Sequence, residues 1–371
     1  MRRAASTDGL SDEAISAYND AIVIDAHNDM ATRVLDDAYD PDVRHEAGFA
    51  AGQGHIDFPR LVESGVTAAW MAAWVDATYA QQVPDGSFAR AMRELDVVQA
   101  WVGRHKDALR LATTAGEVTR AKADGLVAIL LAVEGGHAIE NSLGRLHDFY
   151  ARGVRYLTLT WNNGNDWAGS SIGTDGTRTA GLTTFGRTVV AEMNRLGMLV
   201  DVSHVSDATL ADVLDVSADP VVASHSCARA LNDHPRNLTD DQMRAIARAG
   251  GVINVNFYSR FLDPAYLRAA QGLDRDSQRA RAHLLPKTPL AILVDHIDHM
   301  VHVAGIDHVG IGSDFDGVSA LPIGMEDITA LPRLSQALLD RGYKVGDVGR
   351  VLGGNMLRLM RVVLDRGGPG G

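Results

Sequence analysis

Ile22-Val-Ile-Asp-Ala-His-Asn-Asp29 is a mostly apolar run that ends in a histidine and an aspartate. On an extended backbone, side chains two residues apart point to the same side, so His27 and Asp29 could hold one ion together. A single His-x-Asp pair says little, because most such pairs are surface or turn residues. Its weight depends on whether the pattern recurs along the chain.

The pattern recurs at the ends of four further apolar runs. These runs end in Glu134, His204, His225 and Asp314. Continuous apolar runs are typical of strands in a parallel sheet that is covered on both faces. In barrel folds the C-terminal ends of such strands carry the functional residues.

Strand-like and helix-like segments alternate about eight times along the chain. Strands are predicted over 22–27, 66–74, 126–133, 154–160, 198–203, 220–224, 251–257 and 308–313. Helices are predicted over 11–20, 59–65, 86–107, 142–152, 183–196, 206–214, 239–249, 288–304, 329–341 and 345–362. This alternation predicts an α/β fold, a (β/α)8 TIM barrel with insertions in the βα loops. The insertion at 258–286 is either a lid or oligomer contact, or a solvated helical segment.

The 371 residues are predicted to form one large barrel domain over 21–364. A short N-terminal helix or tail precedes it at 1–20, and a glycine-rich disordered tail follows at 365–371. The hydrophobic content of 46% is sufficient for a large core, and no break in composition indicates a second domain.

Charge and cysteine content limit which binding partners and which cellular location we expect. The net charge is −12 and no Lys/Arg-rich run occurs, which argues against nucleic acid or an anionic membrane and leaves a small molecule as the expected partner. The single cysteine, Cys227, excludes an internal disulfide framework. No apolar region follows Arg2 and Arg3, and no apolar span reaches membrane length, so we expect a cytoplasmic protein.

Five of the strand-end residues form a set of nitrogen and oxygen donors. A barrel would bring them to one mouth: His27, Asp29, Glu134, His204 and His225. Imidazole and carboxylate without thiolate suit Zn2+, Mn2+ or Co2+. Five ligands exceed the need of one catalytic zinc, so the set favours two ions that share a carboxylate. Any one of these residues alone would be better explained as a satisfied polar residue, but five at equivalent positions would not.

Six short blocks of the chain together carry a resemblance to a known family. They are His27-Asn-Asp29, Val133-Glu-Gly-Gly-His137, Tyr156-Leu-Thr-Leu-Thr160, Asp201-Val-Ser-His204, Ser224-His225-Ser226 and Gly312-Ser-Asp314-Phe-Asp316-Gly317. In this order they resemble the signature blocks of the membrane (renal) dipeptidase family, zinc peptidases of the amidohydrolase superfamily. The resemblance extends from residue 22 to about residue 318.

The resemblance implies a binuclear zinc dipeptidase that cleaves dipeptides with a free C-terminal carboxylate. His27 and Asp29 would bind one zinc ion and His204 and His225 the other, with Glu134 bridging them. A hydroxide held between the metals would attack the peptide carbonyl, because metal binding lowers the pKa of water toward neutrality.

The resemblance also assigns roles around the metals. Asp314 matches the family's acid/base residue, which takes the proton of the water and delivers it to the leaving amine. From the strand-end position alone, Asp314 could equally be a further ligand or part of an Asp-Gly turn. Arg236 matches the arginine that binds the terminal carboxylate, and Tyr258 aligns more loosely with a substrate contact, an aromatic packing role being the alternative. A homodimer is implied by the resemblance alone.

Trp161 stands where the family usually has a histidine, directly after the Leu-Thr-Leu-Thr strand. Indole donates one hydrogen bond but cannot carry a proton, which weakens a polarising role at this position. Asn162 or Asn165 could take that role. A second hypothesis is therefore a metal-dependent amidohydrolase that acts on another amide, lactam or ester. A third is a barrel that binds metal without turnover.

Overall fold

Eight parallel strands close into a barrel in the computed structural model, which describes residues 8–79, 86–173 and 180–366. In chain order they are β1 (Ile24–Asn28), β2 (Ala68–Trp74), β3 (Val127–Glu134), β4 (Val154–Thr158), β5 (Leu199–Asp201), β6 (Val222–Ser226), β7 (Val252–Val255) and β8 (Val309–Ile311). The predicted (β/α)8 barrel is confirmed.

Three pairings made by β1 and β2 close the barrel. β1 pairs with β8, where Asp25 faces Ile311, and also with β2. β2 in turn pairs with β3 along its whole length, from Ala68 opposite Ala128 to Trp74 opposite Glu134. Because every pairing is parallel, the C-terminal ends of the strands meet at one mouth. Leu109–Leu111 adds a short strand beside β3, and Glu46–Ala47 pairs with Gln53–Gly54 in a separate small sheet.

The strands are buried on both faces, which explains their continuous apolar sequences. In β2, Ala68, Trp70 and Ala72 belong to the cluster that fills the barrel, whereas Ala69 and Met71 belong to the layer between strands and helices. The small alanines leave room inside the barrel for Trp70, whose ring centroid lies 4.7 Å from that of Tyr156. Alternate side chains of each strand therefore pack in the barrel interior and in the layer between strands and helices.

Helices form the outer layer. They span Asp12–Asp20, Met30–Asp36, Phe58–Glu63, Gly86–Arg104, Ala115–Ala123, Leu143–Ala151, Thr184–Leu196, Asp207–Val216, Asp240–Arg248, Ser259–Leu262, Pro264–Ala269, Arg275–Ala280, Leu290–Ala304, Pro332–Asp340, Val345–Gly349 and Asn355–Val363. A π-helical segment, Arg350–Gly354, joins the last two, and 3-10 helices lie at Gly136–Ile139, Ile306–His308 and Ile328–Ala330.

The loops contain more helix than the sequence predicts. The sequence predicts no helix between strand 22–27 and helix 59–65, but Met30–Asp36 is helical and its first residues are buried. Helix Ala115–Ala123 is likewise absent from the prediction. Hydrophobic periodicity cannot reveal Met30–Asp36, because its buried face includes Arg33, which reaches Asp316 and the ring of Phe49. The insertion at 258–286 contains short helices, and its predicted role stays open between the two alternatives.

The N-terminal helix Asp12–Asp20 contacts helix Pro332–Asp340, and its Tyr18 is buried. Residues 1–7 and 367–371 lie outside the described residues. The second range contains most of the predicted disordered tail at 365–371. Within the described ranges, no helix combines the length and the apolar character needed to cross a membrane.

Candidate active site

The mouth of the barrel brings together the five residues predicted as metal ligands, with Glu134 at their centre. Its Oε1 lies 2.9 Å from His204 Nε2 and 3.5 Å from His225 Nε2, and its Oε2 lies 3.6 Å from His27 Nε2. Asp29 Oδ2 is 3.8 Å from His27 Nε2. Both carboxylate oxygens of Glu134 therefore face imidazole nitrogens of this set.

The ends of the strands aim these side chains into the mouth. His27 and His225 lie within β1 and β6, and Glu134 is the last residue of β3. His204 and Asp314 follow β5 and β8 and adopt left-handed backbone conformations, with φ of 70° and 61°. Such conformations are costly for residues with a side chain and concentrate at functional sites.

Each of the three histidines presents Nε2 to the cluster and Nδ1 to an oxygen behind it. His27 Nδ1 is 2.7 Å from the Tyr156 hydroxyl, and His204 Nδ1 is 3.1 Å from Asn162 Oδ1. Tyr156 can donate its own hydrogen to the Ala26 carbonyl at 3.2 Å, so its oxygen is free to accept from His27. A hydrogen on Nδ1 leaves the Nε2 lone pair for a metal.

The third histidine, His225, is oriented through a longer chain of hydrogen bonds. Its Nδ1 lies 2.8 Å from Ser224 Oγ, which donates to Asp201 Oδ2 at 2.6 Å. Thr158 donates to the same carboxylate oxygen, and the other oxygen of Asp201 accepts from two backbone amides, those of Ser203 and Ser224. The buried Asp201 thus fixes the ends of β4, β5 and β6 relative to one another.

Asp314 is held beside His27 and Asp29. Its amide donates to the His27 carbonyl at 3.0 Å, and its Oδ2 accepts from Asn256 Nδ2 at 2.8 Å. Burial raises the pKa of Asp314 above the usual range of aspartate. Gly317 lies against both carboxylates, and a Cβ at this position would overlap Asp29 and Asp314.

The charged groups around the cluster shift the pKa values of its histidines. Burial acts to lower the pKa of His27, but the carboxylates of Glu134, Asp29 and Asp314 outweigh it and raise that pKa to about 10. Burial and the charge of Arg236 lower the pKa of His204 to about 4. The surroundings of His27 are therefore strongly anionic.

Two overlapping groups have their donor atoms within 4.8 Å of one another: His27, Glu134 and His225, and His27, Asp29 and Asp314. His27 Nε2 is buried and lacks a hydrogen-bond partner among the residues that the structure describes. Imidazole nitrogens and carboxylate oxygens at these distances suit Zn2+, Mn2+ or Co2+. The residues present therefore fit metal ions.

A cavity of about 660 Å³ opens above the cluster between two different walls. One wall comes from the end of β2 and the loop after β4. There the Trp74 and Trp161 rings meet edge to face at a centroid distance of 4.8 Å, and Asn162 also lines this wall. The opposite wall comes from the loop after β7 and includes Tyr258 and Arg260. The predicted substrate residues Trp161, Asn162 and Tyr258 thus line the cavity.

Arg236 is placed behind the wall. Its side chain is buried, and its Nη2 donates to the His225 carbonyl at 3.1 Å. Its guanidinium lies 5.4 Å from the ring centroid of Phe261, and burial lowers its pKa to about 10. Arg236 therefore lies close behind His225 and influences the site through its charge.

Asn165, which the sequence allows as a substitute for the missing histidine, has a different position. Its Nδ2 donates to the Leu159 carbonyl, and its Oδ1 accepts from the amides of Trp167 and Ala168. Asn165 therefore shapes the loop after β4, whereas Asn162 reaches both the cavity and His204.

Sequence reasoning missed three residues of this site: Trp74, Asn256 and Arg260. Trp74 ends β2 and Asn256 follows β7, so the strand-end rule would have found both if it had been applied beyond metal-ligand residue types. Arg260 lies in the insertion after β7, where no sequence pattern distinguishes it from the other arginines of that segment.

A (β/α)8 barrel with histidines and carboxylates gathered at the C-terminal ends of its strands defines a metal-dependent hydrolase. The family model of the membrane dipeptidases, peptidase family M19, matches residues 12–366. The chain belongs to this family.

Solved structures of the family resemble the chain over nearly its full length. The dipeptidase AC, a metallopeptidase of family M19, is 30% identical with a TM-score of 0.78, over 93% of this chain and 99% of that one. The probable dipeptidase PvdM from Pseudomonas aeruginosa is 26% identical with a TM-score of 0.84, over 95% and 98%. A metallopeptidase from Rhodobacter sphaeroides, liganded with a phosphinate mimic of the dipeptide L-Ala-D-Ala, is 29% identical with a TM-score of 0.77, over 93% and 100%.

Proposed function

We propose that the protein is a binuclear zinc dipeptidase that hydrolyses dipeptides with a free C-terminal carboxylate. The observation that carries the proposal is the position of Glu134 among the Nε2 atoms of His27, His204 and His225, with Asp314 beside them. The dipeptide mimic bound by the Rhodobacter sphaeroides relative supports this substrate class.

In this proposal His27 and Asp29 hold one ion, His204 and His225 hold the other, and Glu134 is shared. When bound, such ions activate water at neutral pH and polarise the scissile carbonyl. The outward hydrogen bonds of the three histidines keep Nε2 directed at the ions, so the protein supplies a site that is oriented in advance.

Asp314 is the proposed acid/base residue. Asn256 donates to one oxygen of the carboxylate, which leaves the other available for proton transfer. Burial favours the protonated form of Asp314, which is the form that must donate to the leaving amine.

The two walls of the cavity are proposed to orient the dipeptide. Tyr258 lines the cavity on the side of β7, and Arg236 lies behind that wall next to β6. We place the terminal carboxylate on this side. Asn162 accepts from His204 through Oδ1, so its amide nitrogen is directed elsewhere and can donate to the scissile carbonyl oxygen. Trp161 then acts as an apolar contact for the N-terminal residue.

The second candidate is a metal-dependent amidohydrolase that acts on another amide, lactam or ester. The Trp74–Trp161 pair favours it, because two indole rings give that wall an extended apolar surface suited to an acyl group. A small-molecule substrate is common to both candidates. The homodimer and the cytoplasmic location stay predictions.

Metal content and hydrolysis measured on one preparation test the proposal. We expect about two zinc equivalents per chain and cleavage of dipeptides by the wild type. Asp314→Asn is expected to lower kcat by about 10²- to 10⁴-fold, because a positioned acid/base group contributes roughly that factor. The exposed Asp241→Asn serves as the control and should retain full activity.

Retention of both metals with no dipeptide cleavage by the wild type would contradict the dipeptidase assignment. Cleavage of N-acyl amino acids or lactones by that preparation would then support the amidohydrolase alternative. Loss of metal from Asp314→Asn would instead identify Asp314 as a further ligand.

A further inference from the structure

Arg260 brings to the cavity a positive charge that no carboxylate of the described residues neutralises in an ion pair. It lies in helix Ser259–Leu262 and lines the cavity. Its Nη1 donates to the Leu273 carbonyl at 3.2 Å, and its Nε is buried with no hydrogen-bond partner in the described part of the chain. Asp274, the acidic residue of the same wall, instead accepts from the Ser277 amide at 2.7 Å.

The backbone around Arg260 is fixed by the loop after β6. Asn232 Nδ2 donates to the Arg260 carbonyl at 2.9 Å, and Asn237 Nδ2 donates to the Phe261 carbonyl at 2.8 Å. Burial raises the pKa of the Tyr258 phenol, and the charge of Arg260 partly opposes that increase. Arg260 is therefore a positioned residue of the wall.

Arg260 lines one side of the cavity, and Arg236 is buried behind that wall against the ring of Phe261. Trp74 and Trp161 line the opposite side. A dipeptide whose scissile carbonyl lies at the metal cluster, and whose terminal carboxylate points toward Arg236, would extend the side chain of its C-terminal residue along the wall of Arg260. That side chain would meet the guanidinium of Arg260, whose Nε has no hydrogen-bond partner among the described residues.

We propose that Arg260 binds an acidic side chain on the C-terminal residue of the substrate, so that the enzyme prefers dipeptides that end in Asp or Glu. This inference rests on the proposed dipeptidase function. A partly desolvated guanidinium without a carboxylate partner is unfavourable, and a ligand carboxylate supplies the missing partner in a geometry that guanidinium matches well.

The test compares kcat/KM for Ala-Glu, Ala-Gln and Ala-Ala, with the second residue in the L and in the D configuration. Glu and Gln have nearly the same shape, so their ratio isolates the charge. In the zinc-loaded wild type, we expect Ala-Glu to exceed Ala-Gln by about ten- to a hundredfold in at least one configuration, the range of a charge-assisted hydrogen bond. In Arg260→Met, the ratio should fall to about one.

Arg268→Met is the matched control, because Arg268 is an exposed arginine of the same insertion, and it should keep the wild-type ratio. Equal rates for Ala-Glu and Ala-Gln in the wild type would overturn the inference, and cleavage of Ala-Ala in that case would leave the dipeptidase proposal intact. An equal loss for all three substrates in Arg260→Met would also overturn it and assign Arg260 to the terminal carboxylate. No cleavage of any dipeptide would overturn both proposals.

Discussion

His204 depends on a side chain from another loop for its orientation. Its backbone is left-handed, with φ of 70°, and its Nδ1 is 3.1 Å from Oδ1 of Asn162 in the loop after β4. The hydrogen bond selects the tautomer in which Nε2 is unprotonated and faces Glu134. Asn162 thus couples the wall of the cavity to the metal cluster.

Asn162→Ala removes this hydrogen bond and should weaken metal binding. We expect zinc affinity to fall by about ten- to a hundredfold, the usual cost of losing a partner of a metal-bound histidine. Competition with a coloured chelator measures the affinity. Asn163→Ala is the control, because Asn163 donates to the Gly164 carbonyl and to His137, away from the cluster. Unchanged affinity in Asn162→Ala would refute this role.

The residues that support the histidines could not be predicted from the sequence, although the histidines could. His27 and Glu134 follow from the rule that strand ends carry the chemistry. The partner of His27 is Tyr156, 129 residues away, and no local pattern links the two. A tyrosine within a buried strand has the same appearance in sequence whether its hydroxyl orients a ligand or only fills the barrel.

Helix Leu290–Ala304 is joined to the mouth of the barrel by one buried imidazole, that of His296. Its Nδ1 accepts from the Ala228 amide at 3.1 Å, and its Nε2 donates to the Leu262 carbonyl at 3.0 Å. Only the neutral ring can make both bonds. Burial, with a smaller contribution from His299 and against the effects of Leu262 and Asp295, lowers the pKa of His296 to about 4.

The free energy of unfolding is therefore expected to fall on acidification from about pH 6.5 to about pH 4. In this window the unfolded chain binds a proton at His296 that the folded chain does not, so stability is lost as the pH drops, by up to about 1.4 kcal/mol per pH unit. Urea unfolding of the wild type and of His296→Gln across this range isolates the contribution, and the variant should show a shallower slope.

His302→Gln is the matched control, because His302 is exposed on the same helix. Its pH profile should follow that of the wild type. Parallel profiles for the wild type and His296→Gln would show that His296 does not contribute to acid sensitivity.

The helices and strands that pack by hydrophobic periodicity were predictable, and those held by polar contacts were not. Helix Thr184–Leu196 begins after Thr183, whose side chain accepts from the Gly186 amide, and ends at Gly197 with φ of 70°, as its sequence indicates. Helix Met30–Asp36 escapes prediction, because Thr32 and Arg33 on its buried face pair with Glu94 and Asp316 from distant parts of the chain.

At the scale of the whole molecule, the carboxylates at the predicted metal site concentrate negative charge inside the fold. Asp29, Glu134 and Asp314 are buried together, and Arg236 is the nearby arginine that partly offsets them. Bound cations would remove their mutual repulsion, so metal binding should stabilise the folded chain as well as enable hydrolysis.

Removal of metal with a chelator should lower the Tm and abolish hydrolysis, and added Zn2+ should restore both. At a free metal concentration about a thousandfold above Kd, the stabilisation is on the order of 4 kcal/mol. Differential scanning calorimetry measures the shift. His27→Ala is the control, because a variant that has lost one of the proposed ligands should respond much less to the chelator. A Tm that the chelator does not change would contradict a metal site in this cluster.

The closure of β1 on β8 has a consequence for synthesis. Both oxygens of Asp25 accept from Ser313, which lies 288 residues further along the chain, and this contact places His27 beside Asp314. A nascent chain that ends before β8 already contains all five predicted ligands, but it has neither the strand that fixes the first of them nor the predicted acid/base residue. The proposed hydrolysis therefore requires a chain that has been made at least as far as Asp314.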